Sequence, residues 1–379
     1  MHKFKSNGKW GVYDDEGWRI IAPVYDYITL SEKWIIAWQH AVFDLSGRVK
    51  HPIDGVTTVY NNNGSCFELS YNGTALNIIS FFRIDKDLYR VESLNEGIVR
   101  VGVINSDGEI IIPFEYEALF AFDAVPLAVP ADREAFFDVM LSQHCFIVGT
   151  DLQFKEQYID GRYKKKRVSG SFGVIDRMGN IIIPISYDSI VSTSSLLIDE
   201  ERDYYVDPQR YYNTYAIVKK GMLYGVFDRH GHVILPTMYS YISVDMPWVM
   251  FYLGGEHFIT EDSEGVRNGL WGILNLKSGN KTEALYSAMA PNNRYESLDN
   301  DFYVKAVVLD GTAGYLRKCD LQFVPDSNCP TPSELMMSNI FWKKYYDSPS
   351  YGGWTEDAIA SAYRGAYEGD SEAIWNNDS

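Results

Sequence analysis

Short runs of β-branched and aromatic residues, broken by glycine and by Asp or Asn, follow one another along the chain to about residue 325. Such runs read as strands. Their order repeats. An apolar or aromatic residue precedes a glycine, two apolar residues follow, and Asp or Asn comes next. A second glycine, an Ile/Val-rich run and a tyrosine complete the frame. The third copy reads Phe172-Gly173-Val174-Ile175-Asp176, Gly179, Ile181-Ile182-Ile183-Pro184 and Tyr187. Five copies are strong, anchored on Gly11, Gly102, Gly173, Gly225 and Gly272. In each, the tyrosine falls 14 residues after the anchor, at Tyr25, Tyr116, Tyr187, Tyr239 and Tyr286. A register held this strictly marks a repeat architecture.

Each part of the frame has a mechanical reading. Asp or Asn opens a tight turn by accepting backbone hydrogen bonds, and the second glycine tolerates positive φ at its end, so every copy contains a β-hairpin. The proline after the second run is expected to end that strand, because it cannot donate to the ladder. The tyrosine is expected to pack its ring between neighbouring repeats and to place its hydroxyl on a backbone partner. Weaker copies fit the frame at Ala41, Cys145 and Gly314, and another is expected between Cys66 and Ile79. Runs such as Tyr215-Ala216-Ile217-Val218 recur before the anchors, so a unit comprises three or four antiparallel strands.

The pattern resembles the WG-repeat family, also called KWG repeats, found mostly in bacterial proteins. Lys9-Trp10-Gly11-Val12 and Leu270-Trp271-Gly272-Ile273 carry the name-giving dipeptide, and Val101, Phe172 and Tyr224 replace the tryptophan elsewhere. The likeness spans roughly residues 1 to 325. It implies a β-rich repeat module that serves as an interaction surface, and it supplies no catalytic residues. The expected fold is all-β, an array of about eight antiparallel hairpin repeats. An open curved or superhelical array is favoured over a closed propeller, because the spacing between copies is uneven.

The texture changes near Asp326-Ser327-Asn328-Cys329-Pro330-Thr331-Pro332, which reads as a linker. The β-repeat domain is therefore assigned to residues 1–328, and a linker with a short α-helical C-terminal tail to 329–379. Helices are expected from Ser333 to about Tyr346 and from Thr355 to Gly369, docked on the end of the array or on a partner. A short helix is also expected over Asp132–Leu141, and an acidic, Tyr-rich long loop or strand extension over Ser192–Tyr212.

Composition narrows the function. The chain of 379 residues carries 34 basic and 51 acidic residues, a net charge of −17. Phosphate backbones and anionic bilayers repel such a chain, so neither nucleic acid nor a membrane is an expected partner. The N-terminal segment has no apolar signal core, and no run is long enough to span a bilayer as a helix, so a cytoplasmic location is expected. The cysteines, Cys66, Cys145, Cys319 and Cys329, lack a CxxC pair and read as reduced thiols packed in the sheets, with a Cys319–Cys329 disulfide as the alternative.

No catalytic, cofactor or metal constellation is legible. His230-Gly231-His232 offers two ligands where structural zinc takes four, and it occupies a repeat turn. Asp14-Asp15-Glu16-Gly17 and Asn105-Ser106-Asp107-Gly108 do not fit an EF-hand loop and read as turn caps. Phosphate-binding loops and a nucleophile triad are missing from the sequence. Two groups lie outside the repeat slots. Tyr163-Lys164-Lys165-Lys166-Arg167 is the one basic cluster, read as a solvated hairpin tip or a docking patch. Trp34, Trp38 and Trp248 are core filling, partner-binding hot spots or sugar platforms. The reading is a non-enzymatic protein-interaction module without cofactor, its partner a protein; the alternative is a glycan-binding or glycan-processing protein that uses aromatic platforms and a carboxylate pair.

Overall fold

The computed structural model describes residues 1–342 apart from 31–32, 40–41, 44–48, 51–55, 85–86, 96, 123–144, 160–161, 194–213, 246, 260–262, 292–302 and 328–339. Every regular element among the described residues is a β-strand, the sheets are antiparallel, and none closes into a barrel. None of the described elements is a helix long and apolar enough to cross a membrane.

Among the described residues the strands follow one frame in seven places, where about eight copies were expected. Within a unit, strand b precedes the anchor, strand c carries it, strand d holds the Ile-rich run, and strand a, where present, leads in. Unit 1 comprises β1 (His2–Ser6), β2 (Lys9–Tyr13) and β3 (Arg19–Tyr25). Unit 2 comprises β4 (Tyr27–Leu30), β5 (Trp34–Gln39), an inserted hairpin β6 (Val42–Phe43) and β7 (Val49–Lys50), then β8 (Val56–Asn61), with β9 (Ser70–Tyr71) and β10 (Thr74–Ala75) after it. Unit 3 is β11 (Ile78–Arg83), β12 (Leu88–Asn95), β13 (Ile98–Asn105) and β14 (Ile110–Tyr116). Unit 4 is β15 (Ala118–Ala121), β16 (Cys145–Ile159), β17 (Arg162–Asp176) and β18 (Ile181–Tyr187). Unit 5 is β19 (Ser189–Ser192), β20 (Tyr215–Lys220), β21 (Leu223–Asp228) and the first part of β22 (Val233–Asp245). The rest of β22 opens unit 6, with β23 (Trp248–Ile259), β24 (Ser263–Asn275) and the start of β25 (Tyr286–Pro291). Unit 7 takes the rest of β25, β26 (Tyr303–Val308), β27 (Ala313–Arg317) and β28 (Phe323–Pro325); β29 (Ile340–Trp342) stands apart.

The 14-residue register has a structural cause. The residue before the anchor pairs with the tyrosine: Trp10 with Tyr25, Val101 with Tyr116, Phe172 with Tyr187, Tyr224 with Tyr239 and Trp271 with Tyr286. The residue after the anchor pairs far earlier on strand d, as Val174 does with Ile183. Strand d therefore bulges opposite the glycine, which bends it sharply. The bulge presses a carbonyl onto the anchor. A Cβ on Gly173 would lie 2.6 Å from the Ile183 oxygen and 2.8 Å from the Ile185 nitrogen. The proline, Pro184 in this copy, sits within the bulge, and the strand continues to the tyrosine instead of ending. The bulge removes the ladder bond that a proline could not make.

At the tyrosine the chain turns from one unit into the next, and in units 5 to 7 the strands stay in one continuous hydrogen-bonded sheet. The amides of Asp26, Glu117 and Asp188, each just after a repeat tyrosine, donate to carbonyls of Trp38, Gly149 and Lys219 on the following unit's strand b. In unit 5 the switch occurs within one strand, since Tyr239 pairs with Tyr224 on one side and Leu253 on the other. The rings sit between units. Tyr25 meets Tyr60, Tyr187 meets Phe227, and Tyr286 meets Phe323. The hydroxyls find side chains where backbone was expected: Tyr25 bonds the Tyr60 hydroxyl, and the Tyr239 oxygen accepts from Lys281 Nζ at 3.4 Å.

Six apolar clusters link consecutive units in chain order. Val101, Val103, Ile112 and Tyr116 of unit 3, for example, meet Phe146, Val148 and Ile175 of unit 4. Outside the cores, the turn glycines Gly64, Gly179 and Gly231 ride on the preceding unit's strand d. Gly231, with φ +84°, would place a Cβ 2.4 Å from the Ile182 oxygen. Ion pairs join units as well, Lys33 with Asp107 at 2.6 Å and Arg177 with Asp87.

Three sequence expectations are corrected. The copy placed at Ala41 is not a unit: strand b of unit 2 pairs with β8, which puts Thr58 opposite Ala37, where the other units have glycine. The copy placed at Cys145 is strand b of unit 4, with Cys145 opposite Asp176. Inside the segment expected as a helix to Tyr346, Ile340–Trp342 form a strand on β24, where an open ladder favours an Ile-Phe-Trp run. The expected helices over 132–141 and 355–369, and most of the 192–212 loop, lie outside the described residues.

Candidate interaction rim

The two ends of each sheet differ in chemistry. At one end are the Asp/Asn-x-x-Gly turns, whose acids and amides are consumed in capping. Asp14 accepts from the amides of Glu16 at 3.0 Å and Trp18 at 2.7 Å, and Asn105 accepts from those of Asp107 and Glu109, both at 2.9 Å. Asp228 accepts from the amides of His230 and His232, and its other oxygen meets His232 Nδ1 at 2.8 Å. Burial alone would raise its pKa, but the His232 ring and the two amides outweigh it and hold the carboxyl below its ordinary value. The His230-Gly231-His232 pair thus belongs to a capped turn. No group of three or more metal-ligating side chains occurs among the described residues.

At the other end are the connections from strand b to strand c, and these alternate. In units 1, 3, 5 and 7 they are tight, closing at Ser6–Lys9, Asn95–Ile98, Lys220–Leu223 and Val307–Ala313. In units 2, 4 and 6 they grow into fingers. Unit 2 inserts β6 and β7; in unit 4 the β16–β17 pairing runs out to Ile159–Arg162; in unit 6 the β23–β24 pairing runs to Ile259–Glu264. Irregular backbone marks the finger bases. Asp151 has φ +55° beside a register shift, while Gly254, Gly255 and Asn268 have φ of +70°, +62° and +64°. These residues leave the packed part of each sheet unchanged while redirecting the hairpin beyond it.

The basic run Lys164–Arg167 lies on β17 along the arm of the unit 4 finger, short of the tip at which the sequence placed it. The tryptophans sort differently. Trp34 and Trp248 are buried in the cores between units 2 and 3 and between units 6 and 7, so they offer no platform to a ligand. Trp38 is half-buried with its ring against Tyr27, while Trp18, at 71% exposure, is the large exposed tryptophan that sequence reasoning passed over. Among the repeat anchors, Trp10 is half-buried beneath Lys3 and Lys5, and Trp271 is buried against Tyr241 and Tyr252. Cys145 is buried, whereas Cys66 and Cys319 are exposed free thiols instead of packed ones; Cys329 lies outside the described residues. The fingers were missed because their residues follow the same alternation as the strands beneath them. Uneven anchor spacing was the one available signal.

The geometry defines an all-β repeat protein whose units exchange strands at tyrosine corners. The family model of the WG containing repeat matches residues 102–124 and 172–195, which run in units 3 and 4 from the anchor end of strand c through strand d to the residues beyond the corner. The chain thus carries stretches that match the WG containing repeat in units 3 and 4, consistent with a WG-repeat β-repeat protein. No curated protein matches it in sequence. Among solved structures it is similar to the computationally designed Ika8 protein, at 11% identity over 80% of this chain and 86% of that one, with a TM-score of 0.22. It is also similar to apo AztD from Citrobacter koseri, at 12% identity over 89% and 95% of the two chains, with a TM-score of 0.20. Superpositions that loose carry no argument about this chain.

Proposed function

We propose that the chain is a non-catalytic protein–protein interaction module, an open array of repeat units that presents its strand b–c fingers to a protein partner. The observation that carries this reading is the alternation. Units 2, 4 and 6 lengthen the same connection, while the packed cores beneath keep the common frame. Insertions at one end of a conserved scaffold are where repeat proteins place specificity. The order of the cores, unit to unit along the chain, supports the open array. The turn residues Asp14 and Asn105 are engaged in capping, and Trp34 and Trp248 are inside cores, which favours the protein-interaction reading over a glycan site.

The test replaces residues 40–55, 151–170 and 254–269 with two-residue Asn-Gly turns, the connection that unit 1 uses at Asn7-Gly8. Partners captured by the intact chain are identified by cross-linking and mass spectrometry. Loss of a partner on trimming, with the melting transition retained, supports the reading. Full retention of every partner by the trimmed chain overturns it.

A further inference from the structure

The fingers of units 4 and 6 are the same object with opposite charge. Lys165 pairs with Glu156, eight residues beyond Val148, which faces the anchor Gly173. Glu264 pairs with Ile259, eight residues beyond Phe251, which faces the anchor Gly272. Ser263–Gly265 and Lys164–Lys166 therefore occupy the same three places, nine to seven residues before their anchors. In unit 6 that edge is filled. β29 adds antiparallel to it, with Ser263 opposite Trp342, Glu264 opposite Phe341 and Gly265 opposite Ile340. In unit 4, β18 joins β17 only from Phe172 inward, and among the described residues no strand pairs with β17 outside that point on this edge. An unpaired strand edge is a row of backbone donors and acceptors ready to take an extended segment.

Charge states what kind of segment. Residues 254–269 of the unit 6 finger hold one basic and four acidic residues, a net of −3, and the strand they take runs on in sequence into Lys343-Lys344. Residues 151–169 of the unit 4 finger hold six basic and three acidic residues, a net of +3, in a chain of net −17. The acidic finger takes an apolar strand followed by two lysines; the basic finger is its charge-reversed counterpart. We infer that the outer edge of β17, at Lys164–Arg167, is a strand-addition site for an extended segment of a partner protein, an apolar or aromatic core flanked by acidic residues. Ladder hydrogen bonds would supply affinity and the cationic run selectivity. The inference rests on the finger reading above and names the chemistry of its partner.

The probe is a blocked peptide with Ile-Phe-Trp flanked on each side by two glutamates, titrated against the full chain by fluorescence anisotropy. Two controls accompany it, one with lysine flanks and one N-methylated at alternate core amides. The expected result is binding of the glutamate peptide and about tenfold weaker binding after K164E/K166E, with the milder K164Q/K166Q in between. N-methylation is expected to abolish binding, and backbone amides of 162–169 to gain hydrogen-exchange protection when the peptide is bound. Equal binding of the N-methylated peptide, or binding without protection of 162–169, overturns strand addition. Tighter binding of a single-stranded RNA oligomer at the same residues, or self-association of the chain lost in K164E/K166E, overturns the assigned occupant. The two readings fail separately. If trimming the fingers removes a captured partner but K164E/K166E does not, the finger reading stands and this one falls. If the peptide binds as described while the trimmed chain keeps all its partners, the reverse holds.

Discussion

Replacing Gly173 by alanine tests the bulge that sets the repeat register. The added Cβ would meet the Ile183 carbonyl oxygen at 2.6 Å, the Ile185 side chain at 2.6 Å and the Ile185 nitrogen at 2.8 Å. Two of these atoms are backbone, inside a strand paired on Val174 and on Phe172, so neither moves without opening the bulge. Opening it displaces Tyr187, whose ring contacts Phe227 of the next unit. Overpacking of a close-packed site costs about 1–3 kcal/mol, and the lost corner adds to it, so a destabilisation of roughly 2–4 kcal/mol is expected. For a cooperative block of this size that is a fall in Tm on the order of 5–12 °C. Gly221→Ala is the control. Its φ is +61°, and nothing lies within 4 Å of the new Cβ, so only backbone strain of about 1 kcal/mol applies. Differential scanning calorimetry of both variants reads the difference. A Gly173→Ala protein that melts with the wild type, or a larger loss from Gly221→Ala, would falsify the argument that close approach explains the anchor.

Three further outcomes are expected. Tyr286→Ala, which empties a buried corner against Phe323, should cost about 3–5 kcal/mol in urea unfolding, and a loss under about 1 kcal/mol would show that the corner is not packed. The Tyr60 hydroxyl titrates well above the ordinary tyrosine range, first through burial and then through its bond with Tyr25. Tyr25→Phe should lower its alkaline midpoint at 295 nm without returning it to 10, and an unchanged curve refutes the pairing. The folded pKa of Asp228 lies below its unfolded value near 3.8, so its contribution is complete above that pH and fades as pH falls through the lower folded value. Asp228→Asn should therefore destabilise the protein at neutral pH and converge with wild type in acid; a gap that does not narrow as the pH is lowered sinks that account.

The sequence disclosed the strands, the hairpin turns and the strict tyrosine spacing, because each is dictated locally by β propensity, turn chemistry and the steric needs of one glycine. Unit 2 stayed hidden because Thr58 stands in the anchor slot, and a search keyed on glycine passes over it. Its turn, Asn61-x-x-Gly64, was visible, with the Gly64 amide donating to the Asn61 carbonyl at 2.8 Å. Cys145 misled for a related reason: strands b and c share one apolar alternation, and only pairing separates them. The same limit applied to the interaction rim. Lys164–Arg167 could be recognised as a cationic run, but not as the counterpart of the edge that receives β29.

What the chain determines by itself is a period and the parts that serve it: turn caps, anchors, corners and the residues that alternate between faces. These rest on interactions between residues close in sequence. The tertiary structure decided which strand is whose neighbour, that a tyrosine passes the chain from one unit to the next, and which hairpin edges are filled. Those choices depend on ladder partners and cores drawn from separate units, and no local pattern encodes a partner that lies tens of residues away.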